Sequence, residues 1–273
     1  MQQGQSSSLV SILFLGDVIG KPGRSVVKKY LQHLKAVADE GGAPYPDFVV
    51  VNVENAAHGF GVTKENLAEF RELGVDVFSG GNHTFDRKEI FEFIETEERL
   101  LRPGNYPEGT PGKGLVLLEK NGIKFAVINL MGRVFMEPLQ SPFLVADKLL
   151  ESITEKCIIL VDMHAEATAE KVALGWYLDG RVSAIVGSHT HIQTADERLL
   201  KKGTAYITDA GACGPTDGVI GMALEGVMRR MVKQLPSRFD LADGPAAACG
   251  VLIKVDSESK CATSIERIRF ADS

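Results

Sequence analysis

The stretch Ile185-Val186-Gly187-Ser188-His189-Thr190-His191 joins a candidate strand to a candidate metal-binding pair. Its Ile and Val, bounded by Gly and Ser, have the composition of a short buried strand. The strand ends in two histidines one residue apart, a spacing that can aim both imidazoles into one cleft. Neutral imidazole is the commonest protein ligand for metal ions. Two on one loop point to a metal centre, either one ion or two with one histidine each.

Working outward, the same pattern recurs at other strand ends. Val10 to Leu15 runs into Gly16-Asp17, and Phe48 to Val53 ends in Glu54-Asn55. Val75 to Phe78 ends in Gly80-Gly81-Asn82-His83, and Ile158 to Val161 ends in Asp162-Met163-His164. Further strands are expected at Lys124 to Leu130 and Thr204 to Thr208, with a closing antiparallel hairpin from Gly250 to Val255 and Ser264 to Phe270. Between them lie helical periods. One carries Val27, Tyr30, Leu31, Leu34, Val37 and Ala38, with His33 on its polar side. A second is capped by Thr63 and carries Leu67, Phe70 and Leu73. Asp86-Arg87-Lys88-Glu89 has capping-box form, opening a helix with Ile90, Phe91 and Ile94 inward. Others run from Ala146 to Glu155, from Ala167 to Leu178, and through Leu224, Val227, Met228, Met231, Val232 and Leu235.

This order of strands and helices predicts an α/β fold, with residues 1–9 a disordered tail and 10–273 one domain. In such folds functional groups gather at the carboxyl ends of strands. Five strand tips here carry residues of ligand type, and four of the six histidines of the chain are among them.

Composition narrows the function. The formal net charge is −6 and no long basic run occurs, which argues against long nucleic acid as the partner. No segment approaches the roughly 20 apolar residues of a membrane span, and the polar N-terminus lacks the features of a signal peptide. The four cysteines, Cys157, Cys213, Cys249 and Cys261, form no C-x-x-C pair, so reduced thiols and a cytoplasmic location are expected. Cys157 and Cys249 read as core residues and Cys213 as the one in an exposed setting.

The candidates Asp17, Glu54, Asn55, Asn82, His83, His164, His189 and His191 form a nitrogen and oxygen set. It suits Fe, Mn, Zn or Co and disfavours a Cys-rich structural zinc site. It is too large for one tetrahedral ion and suits two, sharing a carboxylate and a water or hydroxide. Two divalent ions against Asp17, Glu54 and a hydroxide leave about one positive charge, a match for a phosphodiester monoanion.

These residues carry a resemblance. The order strand-Asp, strand-Glu/Asn, Gly-Asn-His, a lone His and Gly-x-His-x-His resembles the calcineurin-like metallophosphoesterases, and more closely their bacterial YmdB-type phosphodiesterase branch. Gly16 to Arg24, Asn52 to Asn55, Gly80 to Asp86, Asn129 to Arg133 and Gly187 to Thr194 all resemble that branch. Ile19 stands where the wider superfamily has His, and Glu54 where it has Asp; the branch shares both departures. The resemblance implies a four-layer α/β/β/α sandwich. It implies a first metal held by Asp17, Glu54, Asn55 and His191, and a second by Glu54, Asn82, His164 and His189. Iron is expected, with manganese or zinc as alternatives. A bridging hydroxide would attack a small phosphodiester, 2′,3′-cyclic nucleotides foremost, with His83 as general acid. Arg133 and His58 are candidate substrate contacts. Asp209 to Gly221 resembles the late glycine-rich loop of the family and is expected to support either the site or a subunit contact, which leaves a homo-oligomer open. A broad phosphomonoesterase, or a regulatory metal-binding protein acting through a partner, is the alternative.

Overall fold

Alternation along the strands sorts the side chains into layers. The computed structural model describes residues 8–271. In chain order the elements are β1 (Leu9–Leu15), β2 (Asp17–Val18), α1 (Gly20–Asp39), β3 (Phe48–Asn52), α2 (Lys64–Glu72) and β4 (Val77–Ser79), followed by a 3₁₀ turn at Lys88–Glu92. Next come β5 (Leu115–Lys120), β6 (Ile123–Met131), α3 (Pro142–Ser152), β7 (Ile158–His164), α4 (Thr168–Leu178), β8 (Ala184–Ser188) and β9 (Arg198–Leu199). The chain closes with β10 (Ala205–Ile207), β11 (Ala212–Pro215), α5 (Leu224–Lys233), β12 (Ala246–Asp256) and β13 (Ala262–Ala271).

Two sheets result. One has the order β2-β11-β12-β1-β3-β4, with β13 on β12; the other has the order β5-β6-β7-β8-β10-β9. Successive strand residues point to opposite faces. In β1 and β3, Val10, Ile12, Phe14, Phe48 and Val50 therefore pack against Phe125, Val127, Ile158 and Leu160 of the second sheet. The Phe48 and Phe125 rings lie 4.4 Å apart at the centre of this layer. The alternate residues Leu13, Leu15, Val49 and Val51 pack under Val26, Val27 and Leu31 of α1 and Leu67 and Phe70 of α2. On the far side, Ile128, Leu130, Val161, Met163 and Ile185 pack under Val145 and Ala146 of α3 and Leu174 and Leu178 of α4. Three apolar layers between four layers of elements make an α/β/β/α sandwich. No helix among the described residues is long and apolar enough to cross a membrane.

Several local expectations are corrected. Residues 1–7 of the expected tail lie outside the described residues. Leu9, however, opens β1 opposite Asp256, and the Ser8 carbonyl accepts the Ser257 N–H at 2.9 Å. The capping-box stretch at Asp86 opens no α-helix. The 3₁₀ turn starts at Lys88 with no side-chain cap, because the Asp86 carboxylate is taken by His83 at 2.7 Å. Cys213 is fully buried in β11, paired with Val18 of β2, whereas Cys249 is only partly buried. His33 is exposed as expected and stacks on Phe270 at 5.7 Å. In α5 only Val227 is buried, and Leu224, Met228, Met231 and Val232 of its apolar stripe stay exposed.

Candidate metal centre

Strands β1, β3 and β4 are parallel neighbours, as are β6, β7 and β8, so each sheet gathers its carboxyl ends on one edge. The two edges meet. Asp17, Glu54 and Asn82 follow strands of the first sheet; His164 ends β7, and His189 and His191 follow β8 of the second. Asp17, Glu54, Asn55 and His164 are buried.

The tightest convergence is on Nε2 of His164. Glu54 Oε1 lies 3.0 Å away, Asn82 Oδ1 3.0 Å and His189 Nδ1 3.1 Å. One ring nitrogen carries at most one proton, so it cannot satisfy three such neighbours at once. A cation can.

The far nitrogen of each histidine is already engaged. His164 Nδ1 lies 2.9 Å from Ser188 Oγ, and that hydroxyl donates to Asp162 Oδ1 at 2.6 Å. Nδ1–H must therefore be the donor to Ser188, which turns Nε2 toward the cluster. His189 Nε2 donates to Glu166 Oε2 at 3.1 Å, and its Nδ1 faces His164. His191 Nδ1 donates to the Ile220 carbonyl at 3.0 Å, leaving Nε2 beside the Asn55 amide at 3.3 Å. Outer partners of this kind fix the tautomer and aim of metal-ligating imidazoles.

The carboxylates of the cluster draw positive charge to it. Burial opposes charge on His164, but Glu54 and Asp17 outweigh it and push its pKa up to about 9. Burial would raise Glu54, yet the His164 imidazolium beside it holds the carboxyl down to about 2. Burial, reinforced by the charge of His164, pushes His189 down to about 3. Burial raises Asp162 to about 6 against the pull of His164. Asp17 Oδ1 is a buried carboxylate oxygen with no hydrogen-bond partner among the described residues. His164 Nδ1 stands 3.7 Å from it, too far for a hydrogen bond, and a closer cation would stabilise such a group. Glu54, His164 and His189 present ligand atoms all within 4.8 Å of one another. This donor set fits a divalent ion.

The backbone is shaped to the same end. Gly81 leaves no room for a side chain: a Cβ there would sit 2.2 Å from Glu54 Oε2 and 2.3 Å from His164 Nε2. His189 and His191 are both left-handed, with φ of +94° and +66°. Each such residue costs about 1–3 kcal/mol and persists only where its surroundings hold it. Here Asp17 Oδ2 accepts the His189 N–H at 3.1 Å. Asp209 Oδ2 accepts both the N–H and the hydroxyl of Thr190, at 3.1 and 2.7 Å. Asp209 is itself paired with Lys171 Nζ at 2.8 Å, and both side chains are buried.

His83 lines the cleft beside this cluster. Its backbone N–H donates to Glu54 Oε2 at 3.0 Å, its Nδ1 meets Asp86 Oδ2 at 2.7 Å, and the Phe60 ring stands edge-on to it at 4.8 Å. With Nδ1 engaged, Nε2 is the nitrogen left for a substrate.

The two candidate substrate contacts fall outside the cleft lining. His58 is exposed, and its Nδ1 accepts from the Arg87 guanidinium at 3.2 Å. Arg133 is exposed beyond β6, and its backbone N–H donates to Glu170 at 3.0 Å. Sequence reasoning missed Ser188, Asp162, Glu166 and Lys171, which act through other residues and sit at no shared spacing. The Asp209 to Gly221 stretch does support the site, through Asp209 and the Ile220 carbonyl.

The family model described as "YmdB-like protein" matches residues 13–268. The 2′,3′-cyclic-nucleotide 2′-phosphodiesterase of Bacillus subtilis (strain 168) is 51% identical over 262 residues, covering 96% of this chain and 97% of that protein. A crystal structure titled as a novel phosphatase from Mycoplasma pneumoniae is similar with a TM-score of 0.89 at 34% identity, covering 97% of this chain and 94% of that one. That of a hypothetical protein from Thermus thermophilus has a TM-score of 0.87 at 40% identity, covering 97% and 100%. The chain belongs to the YmdB-like protein family.

Proposed function

We propose that the chain is a dimetal phosphodiesterase that hydrolyses small phosphodiesters, 2′,3′-cyclic nucleotides foremost, to nucleoside monophosphates. The observation that carries this reading is the convergence of Glu54, Asn82 and His189 on His164 Nε2, with the far nitrogen of every histidine in the set already engaged. Asp17, Glu54, Asn55 and His191 would hold one ion, and Glu54, Asn82, His164 and His189 the other. The donor set suits iron, with manganese or zinc as alternatives. Bound divalent ions supply a nucleophilic hydroxide at neutral pH and positive charge for the phosphate oxygens. The identity to the Bacillus subtilis phosphodiesterase supports the substrate class. The free thiols fit a reducing, cytoplasmic setting.

The chain's own groups do the rest. Asp86 accepts the Nδ1–H of His83, which orients the ring and leaves Nε2 to face the substrate. The Nε2 proton of the imidazolium passes to the ribose alkoxide as its bond to phosphorus breaks. Phe60 packs against the same ring and limits its rotation.

The test is protein purified without chelators, analysed for metals and assayed with Mn or Fe on 2′,3′-cyclic AMP, bis-p-nitrophenyl phosphate and p-nitrophenyl phosphate side by side. Both diesters should turn over faster than the monoester; the reverse order would overturn the diester reading. His83→Ala should lower turnover about 10²- to 10⁴-fold with metal content unchanged. Loss of both metals in that variant would refute its role as acid.

A further inference from the structure

We propose that the apolar side of this same cleft seats the nucleobase of the substrate and so selects for substrates that carry a base. The inference rests on the phosphodiesterase reading above.

The cleft has a volume of about 340 Å³ and two kinds of lining. Glu54, Asn55, His83, His189 and His191 form the polar part; Phe60, Ile220, Val227, Met231 and Phe239 form the apolar part. Met231 is 65% exposed, Ile220 48% and Phe60 38%, so large apolar side chains stand open to solvent beside the candidate chemistry. Pockets that bind small molecules combine such apolar walls with a few placed polar groups.

The apolar part is tied to the polar part at two points. The Phe60 ring meets His83 at 4.8 Å, and the Ile220 carbonyl holds His191 Nδ1 at 3.0 Å. A phosphate at the candidate metal centre therefore has an apolar face at a fixed position beside it. Phe239 is held in turn by the Arg230 guanidinium, 5.7 Å from its ring centroid. A nucleobase is flat and apolar on its faces, and it stacks on aromatic and apolar side chains regardless of sequence.

The stacking surface itself does not read the edge of the base. Discrimination between bases needs hydrogen-bonding groups free to meet their edges. Of the two other polar side chains of the cleft, Thr190 gives its hydroxyl proton to Asp209, and Glu166 spends one carboxylate oxygen on His189 Nε2 and keeps the other open to an amino group. Purines, with the larger face, should be favoured modestly over pyrimidines.

The test compares 2′,3′-cyclic AMP with the 2′,3′-cyclic phosphate of methyl β-D-ribofuranoside, which lacks a base, in the metal-loaded enzyme. The nucleotide should have the higher kcat/KM by about tenfold to a hundredfold. In Met231→Ser and Phe239→Ala that ratio should fall toward one. Binding of 3′-AMP and of ribose 3-phosphate by calorimetry gives the same comparison without turnover. Equal values for the two ligands in both assays, or a ratio unmoved in both variants, would overturn the proposal. A protein that binds 3′-AMP more tightly than the sugar phosphate but hydrolyses neither cyclic substrate would keep the base seat and sink the phosphodiesterase reading instead.

Discussion

Breaking the Lys171–Asp209 pair should cost the protein several kcal/mol and loosen the His189-Thr190-His191 loop together with it. Lys171 is 1% exposed and Asp209 fully buried, with Nζ and Oδ2 2.8 Å apart. Removing one member of such a pair leaves a buried charge and costs about 3–5 kcal/mol. The two sides differ. In Lys171→Met the Asp209 carboxylate keeps the Thr190 N–H, the Thr190 hydroxyl and the Gly211 N–H at 2.8 Å, so the loss should sit near the lower bound. In Asp209→Asn the ammonium loses its counter-charge, and the loss should sit near the upper one. The double variant restores neutrality and retains an amide oxygen for Thr190, so it should be more stable than Asp209→Asn, with a coupling energy of about 1–3 kcal/mol. Guanidinium unfolding of the four proteins in chelator measures this. Metal competition with a fluorescent chelator on the same set should show affinity lowered about 10- to 100-fold in Asp209→Asn, because Thr190 between the two left-handed histidines is then held by a neutral amide oxygen in place of a carboxylate. Single variants each below about 1 kcal/mol, or effects that simply add, would refute the reasoning.

Gly81→Ala should abolish metal binding while far-UV circular dichroism stays native, since its Cβ would stand 2.2 Å from Glu54 Oε2 and 2.3 Å from His164 Nε2; retained stoichiometry would contradict this. Ser188→Ala interrupts the His164–Ser188–Asp162 chain and should weaken metal affinity about 10- to 100-fold with little change in the fold, measured by the same chelator competition. Cys213 is buried and its pKa is raised well above the usual thiol value by burial. Because the thiolate is the reactive form, Cys213 should resist a thiol-specific disulfide reagent at pH 9 in the native protein and react only on unfolding. Partly exposed Cys261 should react first, with both followed by mass spectrometry.

What the sequence disclosed and what it withheld follow from the range of the forces involved. The strands that carry the candidate ligands are runs of Val, Ile, Leu and Phe long enough to show themselves, and each ends in a residue with no business in a core. Asp17, Glu54, Asn82, His164 and His189 could be read for that reason. Strands β2 and β11 could not: Asp17–Val18 is two residues long, and Ala212–Pro215 contains Gly and Pro, so their pairing is made by tertiary contact alone. The stretch at Asp86 misled because its local signal was real but its carboxylate had a stronger claimant, the His83 imidazole. Glu166, Ser188, Asp209 and the Ile220 carbonyl reach the histidines from separate segments, and no local pattern joins them. The apolar stripe of α5 shows which residues are greasy, not what covers them.

The centre lies on the seam between the two sheets, and that gives the interior of the sandwich a second task. Asp17, Glu54 and Asn82 ride on one sheet and His164, His189 and His191 on the other, with Phe48 on Phe125 at 4.4 Å setting the packing between them. A slide of one sheet over the other by a fraction of an ångström would alter the span across which the two half-sites face one another. The aromatic contact is in effect the gauge block of the site. Substitutions there, far from any substrate, should act on rate and metal affinity before they act on whether the chain folds.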